Sequence, residues 1–267
     1  MFGRRKIAYT VELSLSALLL YGLIAGCASQ VTSIDTRPGV TVRILLAAPD
    51  TDPKGILLVY PGGPGFLVGG DGRIADRFPR LTHLYTEQGF VVGVIDSPSD
   101  HPEGSALGFR LSKEHAEDAR KIVDFVGQKW PKPIFLLGHS SGGASVTHIG
   151  ATLKDRRIAG IVITSSPAMS ASKVPVDQVT SPVLRVHHRD DICVSFQAAL
   201  KQDAQFFRSS KVHFIEVSGG DRSREWGCGP NDQRMSYAHY FYGKEREVVK
   251  AITDWAMGNP VPNQIGP

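Results

Sequence analysis

Short apolar runs alternate along most of the chain with longer amphipathic segments, and this alternation constrains the fold more than any other feature. Several of the runs contain almost no polar residue, as is typical of strands that are buried on both faces of a parallel sheet. Strands are predicted over residues 41–47, 55–60, 90–95, 133–137, 158–165, 182–188 and 212–217. Helices are predicted over residues 73–88, 112–129, 142–153, 196–207 and 243–256. This order predicts an α/β fold in which helices cover both faces of a mostly parallel central sheet, as a single domain over residues 41–267.

The segment Gly138-His139-Ser140-Ser141-Gly142 lies directly between a predicted strand and a predicted helix that is rich in small residues. It has the form G-x-S-x-G, in which a sharp turn from strand to helix exposes the serine and the glycines avoid clashes with neighbouring backbone. We therefore predict that Ser140 is a nucleophile. The alternative interpretation is a glycine-rich packing turn.

A serine nucleophile needs a base and an acid that orients the base, and in this architecture the three follow in the order serine, acid, histidine. Asp191 follows the predicted strand 182–188 at the carboxyl edge of the sheet, where the sites of open parallel sheets form. Asp190 is the neighbouring alternative. His239 follows the last predicted strand and precedes the terminal helix, which is the position expected for the base.

The other histidines are weaker candidates for the base because of their positions in the chain. Two of them remain competitors, since they lie beside the predicted acid: His187 and His188. His139 flanks the serine and is predicted to line the pocket. Structural roles are predicted for those that fall inside predicted elements or ahead of the serine: His83, His101, His115, His148 and His213.

Together these segments resemble the α/β-hydrolase superfamily over nearly all of the predicted domain. The resemblance rests on Gly138-His139-Ser140-Ser141-Gly142-Gly143, on His187-His188-Arg189-Asp190-Asp191, on His239 and on Tyr60-Pro61-Gly62-Gly63-Pro64-Gly65. The last segment is similar to the H-G-G-P-G type of loop, with Pro61 in the place usually held by histidine. The resemblance implies an oxyanion hole formed by the backbone N–H groups of Gly63 and Ser141.

The resemblance also implies a reaction, namely hydrolysis of an acyl bond, most simply a carboxylic ester, through an acyl-enzyme on Ser140. No metal ion or organic cofactor is expected, and peptidase and thioesterase are variants within the class. The rival hypothesis is a catalytically silent envelope lipoprotein that uses the fold as a binding module. Many relatives insert a lid where only residues 166–181 separate two predicted strands here, so we expect no large lid domain and a small-molecule or polymer-attached acyl substrate. Arg110 is expected to form a structural salt bridge, and the alternative is that it binds a carboxylate of the substrate.

The net charge and the spacing of the glycines argue against two other classes, the nucleic-acid-binding and the nucleotide-binding proteins. The net charge is +4, and no run rich in lysine and arginine follows residue 10, so no nucleic-acid partner is predicted. Residues 62–72 contain neither G-x-G-x-x-G nor G-x-x-x-x-G-K-[ST], so a dinucleotide- or phosphate-binding loop is not predicted there.

Residues 1–26 have the composition of a secretory signal, in which a short basic segment precedes the apolar stretch 13–24. The end of this segment, Ile24-Ala25-Gly26-Cys27, resembles the bacterial lipobox, which implies that Cys27 is lipidated and anchors an exported protein to a membrane of the bacterial cell envelope. Residues 27–40 are predicted to be the lipidated cysteine and a polar linker. The alternatives are a plain signal peptide and an uncleaved anchor helix, although the apolar stretch is shorter than the roughly 20 residues that span a bilayer.

The two remaining cysteines, Cys193 and Cys228, would meet an oxidising compartment if the protein is exported. A bridge between them would close a loop of about 35 residues and contribute about 4 kcal/mol on the chain-entropy estimate. It would also connect the loop of the predicted acid to the loop that leads to His239. The alternative is a pair of buried reduced thiols.

Overall fold

The computed structural model describes residues 29–65, 81–166, 174–203, 205–206, 208–224 and 236–267. The strands are β1 (Gln30–Arg37), β2 (Val40–Ala47), β3 (Gly55–Tyr60), β4 (Phe90–Pro98), β5 (Ile134–His139), β6 (Ile158–Thr164), β7 (Val183–His188), β8 (Val212–Val217) and β9 (Gln264–Ile265). The helices are α1 (Thr82–Glu87), α2 (Leu107–Arg110), α3 (Lys113–Lys129), α4 (Gly142–Leu153), α5 (Phe196–Asp203) and α6 (Glu245–Ala256).

The strands form one sheet in the spatial order β1-β2-β4-β3-β5-β6-β7-β8-β9. Every pairing from β4 to β9 in that order is parallel. β2 pairs antiparallel with β4, and β1 pairs antiparallel with β2. Two antiparallel steps restore the direction, so β1 runs the same way as the parallel strands. The predicted α/β fold with a mostly parallel central sheet is therefore confirmed.

Successive side chains of β3 enter two different apolar clusters, because side chains alternate between the faces of a strand. Ile56 and Leu58 pack in the cluster that includes the buried residues of α3 and α4. Leu57 and Val59 pack in the cluster that includes those of α1 and α6. All six residues of β3 are buried. Burial on both faces explains why this strand is a continuous apolar run rather than an alternating one.

The structure corrects the predicted linker over residues 27–40. Residues 30–37 form the edge strand β1, which pairs with β2 from Gln30 opposite Leu46 to Arg37 opposite Val40. Only Ile34 and Thr36 of β1 are buried, because an edge strand packs just one face against α3. The exposed face of β1 explains why its sequence contains mostly polar residues. Residues 27 and 28 lie outside the described residues.

Some elements differ from the predictions. The helix predicted over residues 73–88 is described only from residue 81 onward, where α1 covers Thr82–Glu87. α5 ends at Asp203 rather than at residue 207. The four-residue helix α2 and the two-residue strand β9 were not predicted, since neither is long enough to show a periodic pattern.

Parallel pairing brings the carboxyl ends of the central strands to one edge of the sheet. Tyr60 of β3 lies opposite Gly138 of β5, and His139 of β5 lies opposite Thr164 of β6. The loops that leave β3, β5 and β7 consequently meet at this edge, as is usual for the sites of open parallel sheets.

No helix among the described residues is both long and apolar enough to cross a membrane. Residues 165–182 connect β6 to β7, and the described part of this connection contains only one short 3-10 turn, Val176–Gln178. The expectation that no large lid domain interrupts the fold is confirmed for the part of the chain that the structure describes.

Candidate active site

Ser140 occupies a strained turn between β5 and α4. Its φ is +50°, in the left-handed region that residues other than glycine rarely adopt. The turn is held from both sides, since the Ser140 N–H donates to the Thr164 carbonyl at 2.9 Å and the Gly143 N–H donates to the Ser140 carbonyl at 2.9 Å. The Ser140 side chain is thereby presented at the carboxyl edge of the sheet, and the residue is partly exposed.

The glycines of the motif are required by close backbone contacts. A Cβ at Gly138 would overlap the carbonyl of Gly142, and a Cβ at Gly142 would overlap the carbonyl of Tyr60. Gly62 lies across from the serine, where an added Cβ would stand 2.8 Å from the Ser140 Cβ and 3.4 Å from its Oγ. The loop after β3 therefore lies directly beside the candidate nucleophile.

The structure brings Asp191 and His239 together. His239 Nδ1 lies 2.8 Å from Asp191 Oδ2, and both residues are buried. The other carboxylate oxygen, Oδ1, accepts the N–H groups of Cys193 at 2.8 Å and Val194 at 3.2 Å. With the carboxylate fixed in this way, His239 can donate from Nδ1 and keep Nε2 free to accept a proton.

The ring of His139 connects His239 to the nucleophile turn, because His139 directly precedes Ser140 in the chain. The rings of His139 and His239 are 4.9 Å apart, and the ring of Tyr240 lies 4.7 Å from that of His139. Burial, together with the neighbouring His239, lowers the pKa of His139 well below its usual value. Its Nδ1 lies 3.0 Å from the Thr164 hydroxyl. His139 is thus an uncharged ring that packs against His239, and its predicted place in the lining of the substrate pocket stays a prediction.

Both predicted oxyanion donors lie next to the nucleophile turn. Ser141 is the N-cap residue of α4, where a backbone N–H has no acceptor within the helix. Gly63 has a φ of +54°, and a Cβ built on it would meet nothing within 4 Å. The turn of the loop is closed by the Gly65 N–H, which donates to the Gly62 carbonyl at 3.0 Å.

Arg110 departs from the expected salt bridge. Its guanidinium is buried and donates to neutral oxygens only, among the residues that the structure describes: the carbonyls of Ser105, Pro61 and Gly63 and the hydroxyl of Ser145. Burial lowers its pKa to about 10, so the group remains a cation at neutral pH. The sequence did not predict this contact with the glycine loop, because the residues that form it are far apart in the chain.

Asp190, the alternative acid, faces other partners. It accepts hydrogen bonds from Arg222 at 2.9 Å and from the Tyr237 hydroxyl at 3.1 Å. Tyr237 lies in the turn that carries His239, so Asp190 links the loop after β7 to that turn. It is therefore more than a solvated neighbour of Asp191.

The competing histidines are held by carbonyl groups. His187 Nε2 lies 3.1 Å from the Val194 carbonyl and 3.6 Å from Asp191 Oδ2, and burial lowers its pKa. His188 Nε2 lies 2.7 Å from the Gly219 carbonyl. Two of the histidines with predicted structural roles also meet carbonyls, His148 at Ser112 and His213 at Pro262.

Asp191, Cys193 and His239 have donor atoms within 4.8 Å of one another, a spacing that a metal ion can bridge. The hydrogen bonds of Asp191 favour a different use, because its two oxygens already accept three N–H groups. Cys228, the predicted disulfide partner of Cys193, lies outside the described residues, and so does Cys27. The bridge and the lipid attachment stay predictions.

Comparison with known proteins gives a family match. The family model described as Hydrolase_4: Serine aminopeptidase, S33 matches residues 66–215. The matched residues include Ser140 and Asp191 and end before His239.

Two curated proteins are similar to part of the chain. Monoacylglycerol lipase from Mycolicibacterium smegmatis (strain ATCC 700084 / mc(2)155) is 28% identical over 135 residues, which cover 50% of this chain and 45% of that protein. Pimeloyl-[acyl-carrier protein] methyl ester esterase from Vibrio campbellii (strain ATCC BAA-1116) is 38% identical over 85 residues, 32% of this chain and 30% of that protein. The chain thus spans less than half the length of either relative.

Among solved structures, dienelactone hydrolase from Anabaena variabilis ATCC 29413 superposes with a TM-score of 0.64 at 15% identity. The superposition covers 87% of this chain and 98% of that one. At this identity the similarity establishes a shared fold.

Proposed function

Because the chain belongs to the Hydrolase_4 (serine aminopeptidase, S33) family and is an esterase-like α/β-hydrolase, we propose that it hydrolyses carboxylic esters through an acyl-enzyme on Ser140. The observation that carries the proposal is the 2.8 Å contact between Asp191 and His239. This pair lies against His139, next to a serine with a φ of +50°. A packing turn would give no reason for strain at the serine and a buried carboxylate–imidazole pair to occur together.

In the proposed mechanism, Ser140 Oγ attacks the acyl carbonyl while His239 Nε2 accepts the hydroxyl proton. Asp191 holds His239 in the tautomer that leaves Nε2 free, and it stabilises the imidazolium that forms. His239 then returns the proton to the departing alcohol. A water molecule, activated by the same imidazole, attacks the acyl-enzyme and releases the acid.

The negative charge that develops on the acyl oxygen requires donors that are already in place. We assign this role to the backbone N–H groups of Gly63, which follows Gly62 in the loop beside Ser140, and of Ser141, which follows Ser140 in the chain. Removal of one such donor typically costs about 3 to 4 kcal/mol of transition-state stabilisation. The small loop residues allow backbone N–H groups to approach the reacting oxygen.

The names of the relatives support an ester as the substrate class. Both curated relatives are named for acting on esters, one as a monoacylglycerol lipase and one as a methyl ester esterase, which favours an ester over an amide. The second candidate is hydrolysis of an N-terminal amino-acid amide, which the description of the matching family as a serine aminopeptidase favours. A panel of p-nitrophenyl esters of increasing chain length, run beside aminoacyl p-nitroanilides, separates the two. Faster turnover of the anilides would replace the ester assignment with the aminopeptidase.

Labelling with a fluorophosphonate probe tests the nucleophile. We expect one label per folded molecule, lost in Ser140→Ala because the nucleophilic oxygen is gone. Ser33→Ala is the matched control, since it removes an exposed hydroxyl of the edge strand β1, and it should label as the wild type does. Labelling that survives in Ser140→Ala, or folded wild-type protein that does not label, would contradict the proposal.

We further propose that the enzyme is exported and anchored to a bacterial envelope membrane through lipid on Cys27, on the basis of Ile24-Ala25-Gly26-Cys27. Metabolic labelling of expressing bacteria with an alkyne fatty acid tests this. The wild-type protein should carry the label and Cys27→Ala should not. An unlabelled wild-type protein that retains residues 1–26 would refute the anchor.

A further inference from the structure

Arg110 is a buried cation that the proposed mechanism leaves unused. Its side chain is 2% exposed, yet its partners among the described residues are neutral oxygens. Burial of a charge without a counter-charge opposes folding, and a neutral side chain of similar size would avoid that cost. The contacts of Arg110 with the described residues therefore point to its role.

One nitrogen of the guanidinium contacts the glycine loop at two points. Nη2 donates to the carbonyl of Pro61 at 3.2 Å and to that of Gly63 at 3.0 Å. The peptide that carries the Gly63 N–H, between Gly62 and Gly63, lies between the two peptides that Arg110 holds. Its own carbonyl is held by the Gly65 N–H at 3.0 Å. Three consecutive peptide planes are thus fixed through their oxygens.

Fixing a carbonyl also orients an N–H group. A trans peptide is planar and directs its C=O and N–H to opposite sides, so a peptide whose oxygen is held on one side presents its N–H on the other. Gly62 faces Ser140, since a Cβ on it would lie 2.8 Å from the Ser140 Cβ. The loop therefore lies between the guanidinium and the nucleophile.

The same side chain reaches the nucleophile helix. Arg110 Nη1 donates to the Ser145 hydroxyl of α4 at 2.8 Å, and Nε donates to the Ser105 carbonyl at 2.8 Å. The guanidinium is planar and presents its donors in a fixed geometry. It consequently sets the position of the glycine loop relative to α4, which begins directly after the nucleophile turn.

We propose that Arg110 is a positioning residue that holds the glycine loop so that the Gly63 N–H meets the oxyanion formed at Ser140. The proposal rests on the proposed function. An oxyanion donor acts in the transition state, so a misplaced loop lowers kcat and leaves the binding of ground-state substrate nearly unchanged.

The test compares two substitutions of Arg110 with one of a second buried arginine. Arg110→Lys keeps the positive charge and loses the planar guanidinium with its several N–H donors, and Arg110→Gln also loses the charge. Arg185→Gln is the matched control, because Arg185 of β7 is equally buried and donates to the Ala199 carbonyl, away from the glycine loop. Each variant is assayed for p-nitrophenyl butyrate hydrolysis, for inhibition by an alkyl trifluoromethyl ketone, and for its Tm. The ketone forms a tetrahedral adduct with the serine and places an oxyanion where the substrate does.

For Arg110→Lys we expect kcat to fall about 10-fold, and for Arg110→Gln about 100-fold, with KM changed less than about threefold. Affinity for the ketone should fall in parallel with kcat in both variants. Arg185→Gln should lower the Tm, with kcat per folded molecule and ketone affinity within about threefold of the wild type. A purely structural role would instead make the Arg110 variants behave like Arg185→Gln.

The outcomes separate the two proposals. If the wild-type protein is not labelled by fluorophosphonate and does not bind the ketone, the serine mechanism is wrong and the role of Arg110 falls with it. If the wild type is labelled but Arg110→Lys keeps its kcat and ketone affinity, only the positioning role is wrong. Should Arg110→Gln fail to fold, Arg110→Lys decides.

Discussion

Replacement of Asp191 by asparagine tests the candidate site most directly, because the change keeps the shape of the side chain and alters one hydrogen bond. Asp191 Oδ1 accepts the N–H groups of Cys193 and Val194, so the asparagine will keep its oxygen at that position. Its amide nitrogen then replaces Oδ2, 2.8 Å from His239 Nδ1. An amide NH₂ only donates, so Nδ1 must accept and the imidazole proton moves to Nε2.

The expected loss of activity follows from that change of tautomer. A protonated Nε2 cannot accept the proton of Ser140, and the comparable substitution in a serine protease lowers kcat about 10⁴-fold. That factor corresponds to about 5.5 kcal/mol in the activation free energy. Stability should change much less, by about 1 kcal/mol, because two backbone hydrogen bonds are kept and only their charge assistance is lost.

The assay is the steady-state hydrolysis of p-nitrophenyl butyrate, with the Tm measured on the same preparations. Asp190→Asn is the matched control, because Asp190 is the adjacent carboxylate and contacts Arg222 and Tyr237 instead of His239. We expect its kcat to stay within about threefold of the wild type. A fall of less than tenfold in Asp191→Asn, or equal falls in the two variants, would refute the assignment of Asp191 as the orienting acid.

Three further predictions concern the loop, the buried imidazole and the cysteines. Gly62→Ala places a Cβ 2.8 Å from the Cβ of Ser140 and should lower kcat at least about tenfold without a change in the far-UV circular dichroism. Gly108→Ala is the control, because a Cβ at Gly108 meets nothing within 4 Å, and it should leave kcat unchanged. Burial lowers the pKa of His115 to about 3, so the unfolded chain binds the imidazole proton more readily than the folded protein does. Protonation of the unfolded chain therefore lowers the free energy of unfolding as the pH falls below about 6.5. Between pH 7 and pH 5, denaturant titrations should show that the free energy of unfolding falls by about 2 kcal/mol less in His115→Gln than in the wild type. Under non-reducing conditions, Cys193→Ser and Cys228→Ser should each lower the Tm by about 10 °C, because each opens the predicted bridge, and an unchanged Tm would dispose of it.

The main strands could be predicted because they are buried on both faces. β3 has the predicted bounds, since its apolar run is delimited by polar or turn-forming residues. β8 also has the predicted bounds, although only Ile215 and Val217 of this strand are buried. β1 could not be predicted, because an edge strand buries only one face and its sequence, with Ile34 as its one buried apolar side chain, resembles a linker. The pattern of apolar residues indicates which strands are buried, and a strand that is paired but mostly exposed has no such pattern.

The candidate site divides in a similar way. Ser140, Asp191 and His239 could be chosen from the sequence because each follows or precedes a recognisable element, and the structure brings the last two into contact. Arg110 could not be chosen, since its helix has only four residues and its partners Pro61 and Ser145 lie 49 and 35 residues away. Such a contact depends on how the loops meet once the sheet has formed.

The direction of β1 has a consequence for the geometry of the protein at a membrane. β1 runs parallel to β3, β5 and β7, and its first residue, Gln30, is level with the middle of β3 and β5, since the successive pairs join Gln30 to Leu46, Gly93, Leu58 and Leu136. Only two residues lie between Cys27 and Gln30, so the two are at most about 10 Å apart. A lipid on Cys27 would therefore hold the edge strand β1, and with it the folded domain, close to the bilayer.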